Sequence, residues 1–202
     1  MDTELTPQDK KRIEESIRGK YIKAAVSPEG MFRYPTGRAG MEALHYDHQI
    51  IQGLPEKVAA AYCGVGNPFT LGPVHPGEAI LDIGCGAGVD SIIAAKLAGP
   101  SGAVTGIDLV PEMLSRAREN ARLAGVDDVT FQESSAEQLP FPDNSFDAVI
   151  SNGVLNLVVD KGKALREIYR VLKPDGRFML ADQVRVGELP KETKARVENW
   201  AR

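Results

Sequence analysis

Cysteine and histidine are scarce in this chain of 202 residues, which contains two cysteines and three histidines. Cys63 and Cys85 stand too far apart for a C-x-x-C pair, and two cysteines are too few for a disulfide framework or a zinc site. We therefore expect a reducing compartment and no bound metal.

Long apolar runs and an excess of positive charge are also missing. No stretch approaches the roughly 18 uninterrupted apolar residues of a membrane span, and the polar start MDTELTPQDKK is unlike a signal peptide. The formal net charge of -4 argues against a broad nucleic-acid footprint, which needs a basic face. We expect a cytoplasmic protein that acts on a small molecule, with neither a nucleic-acid partner nor a membrane partner.

Short apolar runs alternate with amphipathic stretches from Glu78 onward, which is the pattern of βαβ units. The pattern predicts an α/β fold, a parallel sheet with helices on both faces. The predicted strands cover residues 79–83, 103–108, 129–133, 148–151 and 177–182, the last after a turn at PDG. The predicted helices cover residues 90–98, 111–124 and 160–172.

The first part of the chain has a different texture. Residues 5–26 are charged and helical in pattern, with Ile13, Ile17 and Tyr21 at spacings of four. One apolar stripe of this kind can lie on a larger body, so we expect an N-terminal helical cap.

Three glycines at alternate positions follow an apolar run in AILDIGCGAGVD. A dinucleotide fingerprint of the form G-x-G-x-x-G needs its third glycine where Val89 stands. Asp82 would repel a phosphate, whereas it would attract an ammonium group, and the N–H groups at the helix start suit a carboxylate. Asp108 ends the second strand, where an acidic side chain accepts both hydroxyls of a ribose. An amino acid joined to a ribose indicates S-adenosylmethionine.

Four blocks in order resemble the class I S-adenosylmethionine-dependent methyltransferases: DIGCGAG, GIDLVPEML, SSAEQLPFPDNSFD and LREIYRVLKPDGRFMLAD. The resemblance covers about residues 62–182. GVGNPF, ISNGVLNL and DKGKALREIYRVLKPDG are most similar to the arsenite-methyltransferase-like branch. The resemblance implies a Rossmann-like fold, S-adenosylmethionine as cofactor, S-adenosylhomocysteine as product and methyl transfer to a small-molecule acceptor.

The resemblance also implies a cofactor site. The methionine end of the cofactor lies against Asp82 and the glycine loop, the ribose against Asp108, the adenine near Leu109 and Met113, and the methyl group near the end of the fourth strand. It identifies no catalytic residue. The implied cofactor-binding residues are Asp82, Gly84, Cys85, Gly86, Gly88, Asp108, Leu109, Met113, Ser135, Ala136, Glu137, Ser151 and Asn152.

Two departures limit what the resemblance implies. Arsenite methyltransferases carry arsenic on cysteine thiolates, and the matching positions are Val65 and Gly153. A soft metalloid has no ligand at these positions, so we do not expect arsenite to be the substrate. Ser135 stands where many relatives have an aspartate that accepts from the adenine amino group, which weakens the expected adenine selectivity.

Other interpretations remain open for several residues and for the function. Cys63 is either a remnant metalloid ligand or a buried structural thiol. His45 and His48 are either a base or metal ligands, or solvated side chains on a short helix. The alternatives to methyl transfer are an S-adenosylmethionine-binding module without transfer and a nicotinamide-dependent reductase, against which Val89 and Asp82 argue.

The end of the chain carries a further expectation. Residues 183–202 suffice for one short helix but not for the hairpin that completes the family's seven-stranded sheet. We expect a cap and connecting segment over residues 1–61 and a cofactor-binding domain over residues 62–202 that lacks its C-terminal part. Its sheet would hold five parallel strands in the order 3-2-1-4-5. The N-terminal segment or a second copy in a homodimer would cover the open fifth strand.

Overall fold

The computed structural model describes residues 5–126, 128–184, 186–187, 197–198 and 200. Five strands form one sheet in the order β3-β2-β1-β4-β5, and every neighbouring pair is parallel. The predicted α/β class and strand order are therefore confirmed. The strands are β1 (Ala79–Ile83), β2 (Ala103–Asp108), β3 (Val129–Glu133), β4 (Phe146–Asn152) and β5 (Leu172–Ala181).

Helix boundaries follow local signals in the sequence. A capping box between Thr6 and Asp9 starts the first helix, and Pro111 occupies the first turn of the sixth, where a missing N–H costs nothing. The helices are α1 (Pro7–Val26), α2 (Gly37–Ala43), α3 (His48–Gln52), α4 (Glu56–Ala59), α5 (Val89–Ala98), α6 (Pro111–Leu123) and α7 (Lys161–Val171), with a 3-10 turn at Pro68–Leu71.

Helices cover both faces of the sheet, as predicted. On one face, α5 packs on the central strands through Ala94 and Ala98, and α6 packs beside it. On the other face, α7 packs through Ala164, Ile168 and Val171. Because both faces are covered, β1 is apolar almost throughout and its last four residues are buried.

The fifth strand differs from its prediction. It begins directly after α7 instead of after the PDG turn, because Leu172 already pairs with Phe146. The register then shifts, since the next pair joins Ala148 to Arg177. Asp175, with φ of 65°, lies in the intervening bulge. The PDG sequence therefore forms a bulge inside β5 and not a turn before it.

The N-terminal part packs onto the sheet domain through one continuous apolar cluster. Met41 and Val58 belong to the same buried cluster as Ile92 and Val110. Ile13 of α1 is fully buried, and α1 contacts α6. The helical cap is present, whereas the division of the chain at residue 61 stays a prediction.

The expectations about the end of the chain are not decided. Most of residues 183–202, including the stretch in which a closing hairpin would lie, fall outside the described residues. One face of β5 is covered from within the chain, because a Cβ on Gly72 would lie 3.6 Å from Met179 Sδ. The homodimer stays a prediction. No helix among the described residues combines the length and apolar character needed to cross a membrane.

Candidate functional site

The glycine loop connects β1 to α5 and turns sharply through three left-handed residues. Gly84, Gly86 and Gly88 have φ of 68°, 52° and 79°. Gly88 is the N-cap of α5, and a Cβ there would lie 2.9 Å from Ala117 Cβ, so close packing on α6 requires a glycine. Around a Cβ on Gly86, by contrast, no atom lies within 4 Å. The backbone at Gly86 is therefore open to the approach of a ligand.

Two aspartates flank this loop at the carboxyl ends of neighbouring strands. Asp82 on β1 is buried and accepts a 2.6 Å hydrogen bond from Ser91 Oγ. Burial, with the nearby charge of Asp90, raises the pKa of Asp82 to about 8. Asp108 ends β2 and accepts from the backbone N–H of Gly86 at 2.9 Å and of Val110 at 2.9 Å. Burial also raises the pKa of Asp108.

A third aspartate, Asp90, is buried like Asp82 and lies near it and the half-buried Asp108. Asp90 in the first turn of α5 accepts from the Tyr46 hydroxyl at 2.8 Å and from Asn152 Nδ2 at 2.9 Å. Burial raises the pKa of Asp90 to about 6. The bonds described for Asp82, Asp90 and Asp108 all come from neutral hydroxyl, amide or backbone donors. No described donor to these carboxyl groups carries a positive charge, so a cationic ligand would favour their ionised forms.

Asn152 connects this group to the segment before the sheet. Its Oδ1 accepts from the backbone N–H of Val65 at 2.8 Å and of Gly66 at 3.1 Å, and its Nδ2 donates to the Gly66 carbonyl at 2.8 Å. Tyr62 donates to the same carbonyl at 2.8 Å. The turn over residues 64–66 is thus fixed against the end of β4 by a side chain whose polar atoms are all used.

A cavity of about 430 Å³ opens above these residues, within the size range of small-molecule and cofactor sites. The cap helix α1 contributes Ile17 and Tyr21, so the predicted cap lies over the cavity. Burial raises the pKa of Tyr21, which keeps its hydroxyl protonated. The loop between β4 and α7 closes the opposite side with Val154, Leu157, Val158 and Val159.

Most of the predicted cofactor residues line this cavity. They are Asp82, Gly84, Cys85, Gly86, Asp108, Leu109, Ser135, Ala136, Glu137 and Asn152.

Three of the predicted residues do not line it. Gly88 packs against α6, Met113 is buried in the apolar cluster under the cap, and Ser151 is fully buried beside the Ile83 carbonyl. Gly88 and Ser151 lie directly behind the surface of the cavity, because Ala87, Val89 and Asn152 beside them on the chain line it. Contact of the lining residues with a cofactor stays a prediction.

The alternative roles of the histidines and of Cys63 can be placed in the structure. His45 and His48 are exposed and do not line the cavity. Cys63 does line it, and burial raises its pKa to about 12, so the thiol is protonated at neutral pH. The described residues contain no cluster of His, Cys, Asp and Glu that could hold a metal ion.

Sequence reasoning missed Asp90, Tyr46 and Tyr62. Asp90 stands immediately after the glycine motif, and an acidic residue in the first turn of a helix is ordinarily read as a favourable dipole contact. The two tyrosines come from the segment before the sheet, 44 and 28 residues ahead of Asp90 in the sequence (90 − 46 and 90 − 62). The only sequence signal for these two tyrosines was the high content of aromatic residues and glycine around residues 31–69.

The site fits a ligand of the kind inferred from the sequence. The open face at Gly86 leaves room for part of a ligand to approach the backbone. A cationic group on that ligand would offset the cost of ionising the buried Asp82. A family model described as a methyltransferase domain matches residues 74–202. The chain belongs to this methyltransferase family. The recognition made from the sequence blocks is confirmed, and membership of this family disfavours the nicotinamide-dependent reductase.

Two curated relatives and one solved structure are similar to this chain. An arsenite methyltransferase from Halobacterium salinarum is 33% identical over 207 residues, which cover 96% of this chain and 53% of the relative. A ubiquinone/menaquinone biosynthesis C-methyltransferase from Pasteurella multocida is 44% identical over 110 residues, covering 54% of this chain and 41% of the relative.

The structural likeness points to the same family. An arsenic(III) S-adenosylmethionine methyltransferase from Chlamydomonas reinhardtii superposes with a TM-score of 0.56 and 35% identity, covering 73% of this chain and 49% of that one. The chain spans about half the length of the curated relatives that it matches.

Proposed function

We propose that this methyltransferase binds S-adenosylmethionine in the cavity and transfers its methyl group to a small, largely apolar acceptor. The observation that carries the proposal is the group of buried carboxylates beside the open backbone at Gly86. Asp82 and Asp90 are costly to ionise without a cation, because burial raises the pKa of both. A sulfonium ligand with an ammonium group offsets that cost.

Each part of the ligand has a matching group in the chain. Asp82 would accept from the ammonium group. Because the backbone N–H groups of Cys85, Gly86 and Gly88 already donate within the chain, the N–H groups in the first turn of α5 would donate to the carboxylate. Asp108 uses one lone pair of each oxygen on backbone donors, which leaves one on each for the ribose hydroxyls. Leu109 and Ala136, both on the cavity surface, would contact the adenine.

Bound S-adenosylmethionine supplies an electrophilic methyl group, whose bond to sulfur breaks, leaving its electron pair on sulfur, as an acceptor electron pair forms the new bond. The chain itself contributes alignment and the exclusion of water. Asn152 holds the turn over residues 64–66 against the sheet, and the cap residues Ile17 and Tyr21 shield the opening. The transfer itself requires only an available electron pair on the acceptor atom, and a proton that this atom carries leaves to solvent in a separate step.

The aliphatic part of the cavity favours an apolar methyl acceptor and disfavours arsenite. Val154, Leu157 and Val158 provide an aliphatic wall. Val65 and Gly153 stand where thiolates would be needed for arsenite, and the thiol of Cys63 is protonated. The similarity to a quinone-biosynthesis C-methyltransferase supports an apolar acceptor as well.

Calorimetric titration followed by a turnover assay tests the proposal. We expect S-adenosylmethionine and S-adenosylhomocysteine to bind and NADH to give no heat. Incubation with methyl-labelled S-adenosylmethionine and fractions of a small-molecule extract should then produce S-adenosylhomocysteine and a labelled product in the apolar fractions. Binding without transfer to any fraction would support the alternative of a binding module, and binding of NADH alone would overturn the cofactor assignment.

A further inference from the structure

The loop between β4 and α7, residues 153–160, forms one wall of the cavity and is called the wall loop below. Four of its aliphatic side chains face the cavity: Val154, Leu157, Val158 and Val159. The wall loop is irregular, with one internal turn in which the N–H groups of Leu157 and Val158 bond to the Val154 carbonyl at 2.9 and 3.3 Å. One turn leaves most of its backbone polar groups to be satisfied from elsewhere.

Side chains from outside the wall loop satisfy three of its carbonyls. Lys161 Nζ donates to the Val158 carbonyl at 2.8 Å and to the Asn156 carbonyl at 3.3 Å. Trp200 Nε1 donates to the Leu157 carbonyl between them at 2.8 Å. Three consecutive carbonyls are therefore bonded to two side chains, one of which, Trp200, lies 43 residues from Leu157 in the sequence.

The two donors also contact each other. Lys161 Nζ lies 5.1 Å from the centre of the Trp200 ring, within the range of a cation–π contact. Partial desolvation lowers the pKa of Lys161, an exposed residue whose ammonium group lies against the indole ring and the wall-loop carbonyls. The indole thus fixes the lysine as well as one carbonyl, which makes the pair a unit.

We propose that Trp200 is a positioning residue, which acts with Lys161 to hold the wall loop in the conformation that shapes the cavity. Loss of either donor leaves a backbone carbonyl without its partner and gives the wall loop other conformations. The aliphatic side chains on the cavity side then lose their fixed positions. The effect on ligand affinity rests on the proposed function, whereas the effect on the wall loop does not.

Four forms of the full chain test this inference: the unaltered protein, Trp200→Phe, Lys161→Met and the control Lys163→Met. Trp200→Phe keeps an aromatic ring but removes the N–H donor. Lys163 is exposed on the same helix, so its substitution changes charge equally without touching the wall loop.

Hydrogen–deuterium exchange of peptides covering residues 153–160 reports on the wall loop directly. We expect faster exchange in Trp200→Phe and Lys161→Met than in the unaltered protein and in Lys163→Met. Melting temperatures measured alongside separate this local effect from global unfolding. Unchanged exchange in both variants would overturn the inference, and Lys161→Met decides it if Trp200→Phe does not fold.

Calorimetry with S-adenosylhomocysteine tests whether the wall loop shapes the ligand site. We expect roughly three- to tenfold weaker binding for Trp200→Phe and Lys161→Met, the loss of about one hydrogen bond, and no change for Lys163→Met. Faster exchange with unchanged affinity would overturn the positioning role. If the unaltered protein did not bind S-adenosylhomocysteine at all, the proposed function would fail, and exchange alone would decide the role of Trp200 in the wall loop.

Discussion

Val65 packs directly against Gly153, which lines the cavity, since a Cβ on Gly153 would lie 3.2 Å from both methyl carbons of Val65. These are the positions at which the arsenite-methyltransferase-like branch places thiolates. The structure brings them together even though neither is a cysteine. Gly153 also has φ of 74°, a conformation that any side chain other than glycine adopts with strain.

We predict that the protein does not methylate arsenite. The reason is chemical, because an isopropyl group and a hydrogen atom offer no ligand to As(III), and burial keeps the nearby Cys63 protonated. The measurement is arsenic speciation by chromatography with elemental detection after incubation with S-adenosylmethionine and a thiol reductant. Methylated arsenic above the level of a sample without enzyme would contradict the prediction.

Replacing Asp108 by alanine should weaken S-adenosylmethionine binding by about ten- to a hundredfold, or roughly 1.5–3 kcal/mol. The variant loses the proposed acceptor for the ribose and also the acceptor for the backbone N–H of Gly86. Calorimetry measures the change, with the exposed Asp128→Ala as the control. Equal affinity in the Asp108 variant and the unaltered protein would show that Asp108 does not bind the ribose.

The glycine loop should show two separable effects. Gly86→Ala should cost about 1 kcal/mol in the free energy of unfolding through backbone strain, and it should abolish binding because its methyl group occupies the open face. Gly88→Ala should cost about 2–4 kcal/mol, because a Cβ 3.0 Å from the Phe131 ring adds overpacking to strain. Unfolding in denaturant measures the change in stability of each variant, and calorimetry measures the change in ligand binding. A Gly88 variant as stable as the Gly86 variant would contradict this division.

The stability of the ligand-free protein should fall as the pH rises, in part because of Asp82. Its pKa is raised from 3.8 to about 8, so the folded state holds a proton that the unfolded chain releases between these values. This contribution is fully present below pH 3.8 and is lost as the pH rises through about 8. Asp90, with a pKa of about 6, adds a loss of the same sign at lower pH.

Asp82→Asn isolates the contribution of Asp82, because asparagine keeps an oxygen for Ser91 Oγ but carries no charge. Between about pH 5 and about pH 9 its melting temperature should fall less than that of the unaltered protein, by up to roughly 10 °C. Its affinity for cationic S-adenosylmethionine should fall as well. If the melting temperatures of Asp82→Asn, Asp128→Asn and the unaltered protein fell equally as the pH rises, the raised pKa of Asp82 would be refuted.

Local patterns in the sequence determined most of the fold and the part of the site formed by the glycine loop, Asp82 and Asp108. Alternation of apolar runs predicted the strands, Pro111 predicted the start of α6, and the spacing of three glycines behind Asp82 predicted the ligand loop. Each of these signals acts within a few residues, because it depends on backbone conformation and on the burial of a short segment. Asp108 was predicted for the same reason, as a strand-end carboxylate in a parallel sheet.

Only the tertiary structure decided which distant side chains meet. Asn152 bonds to Tyr46, 106 residues away, and Trp200 bonds to the wall loop across 43 residues. The bulge in β5 likewise depends on the pairing of Leu172 with Phe146, which no turn signal at PDG encodes. Such contacts are set by how whole elements pack and by the need to satisfy buried polar groups, and neither leaves a periodic trace along the chain.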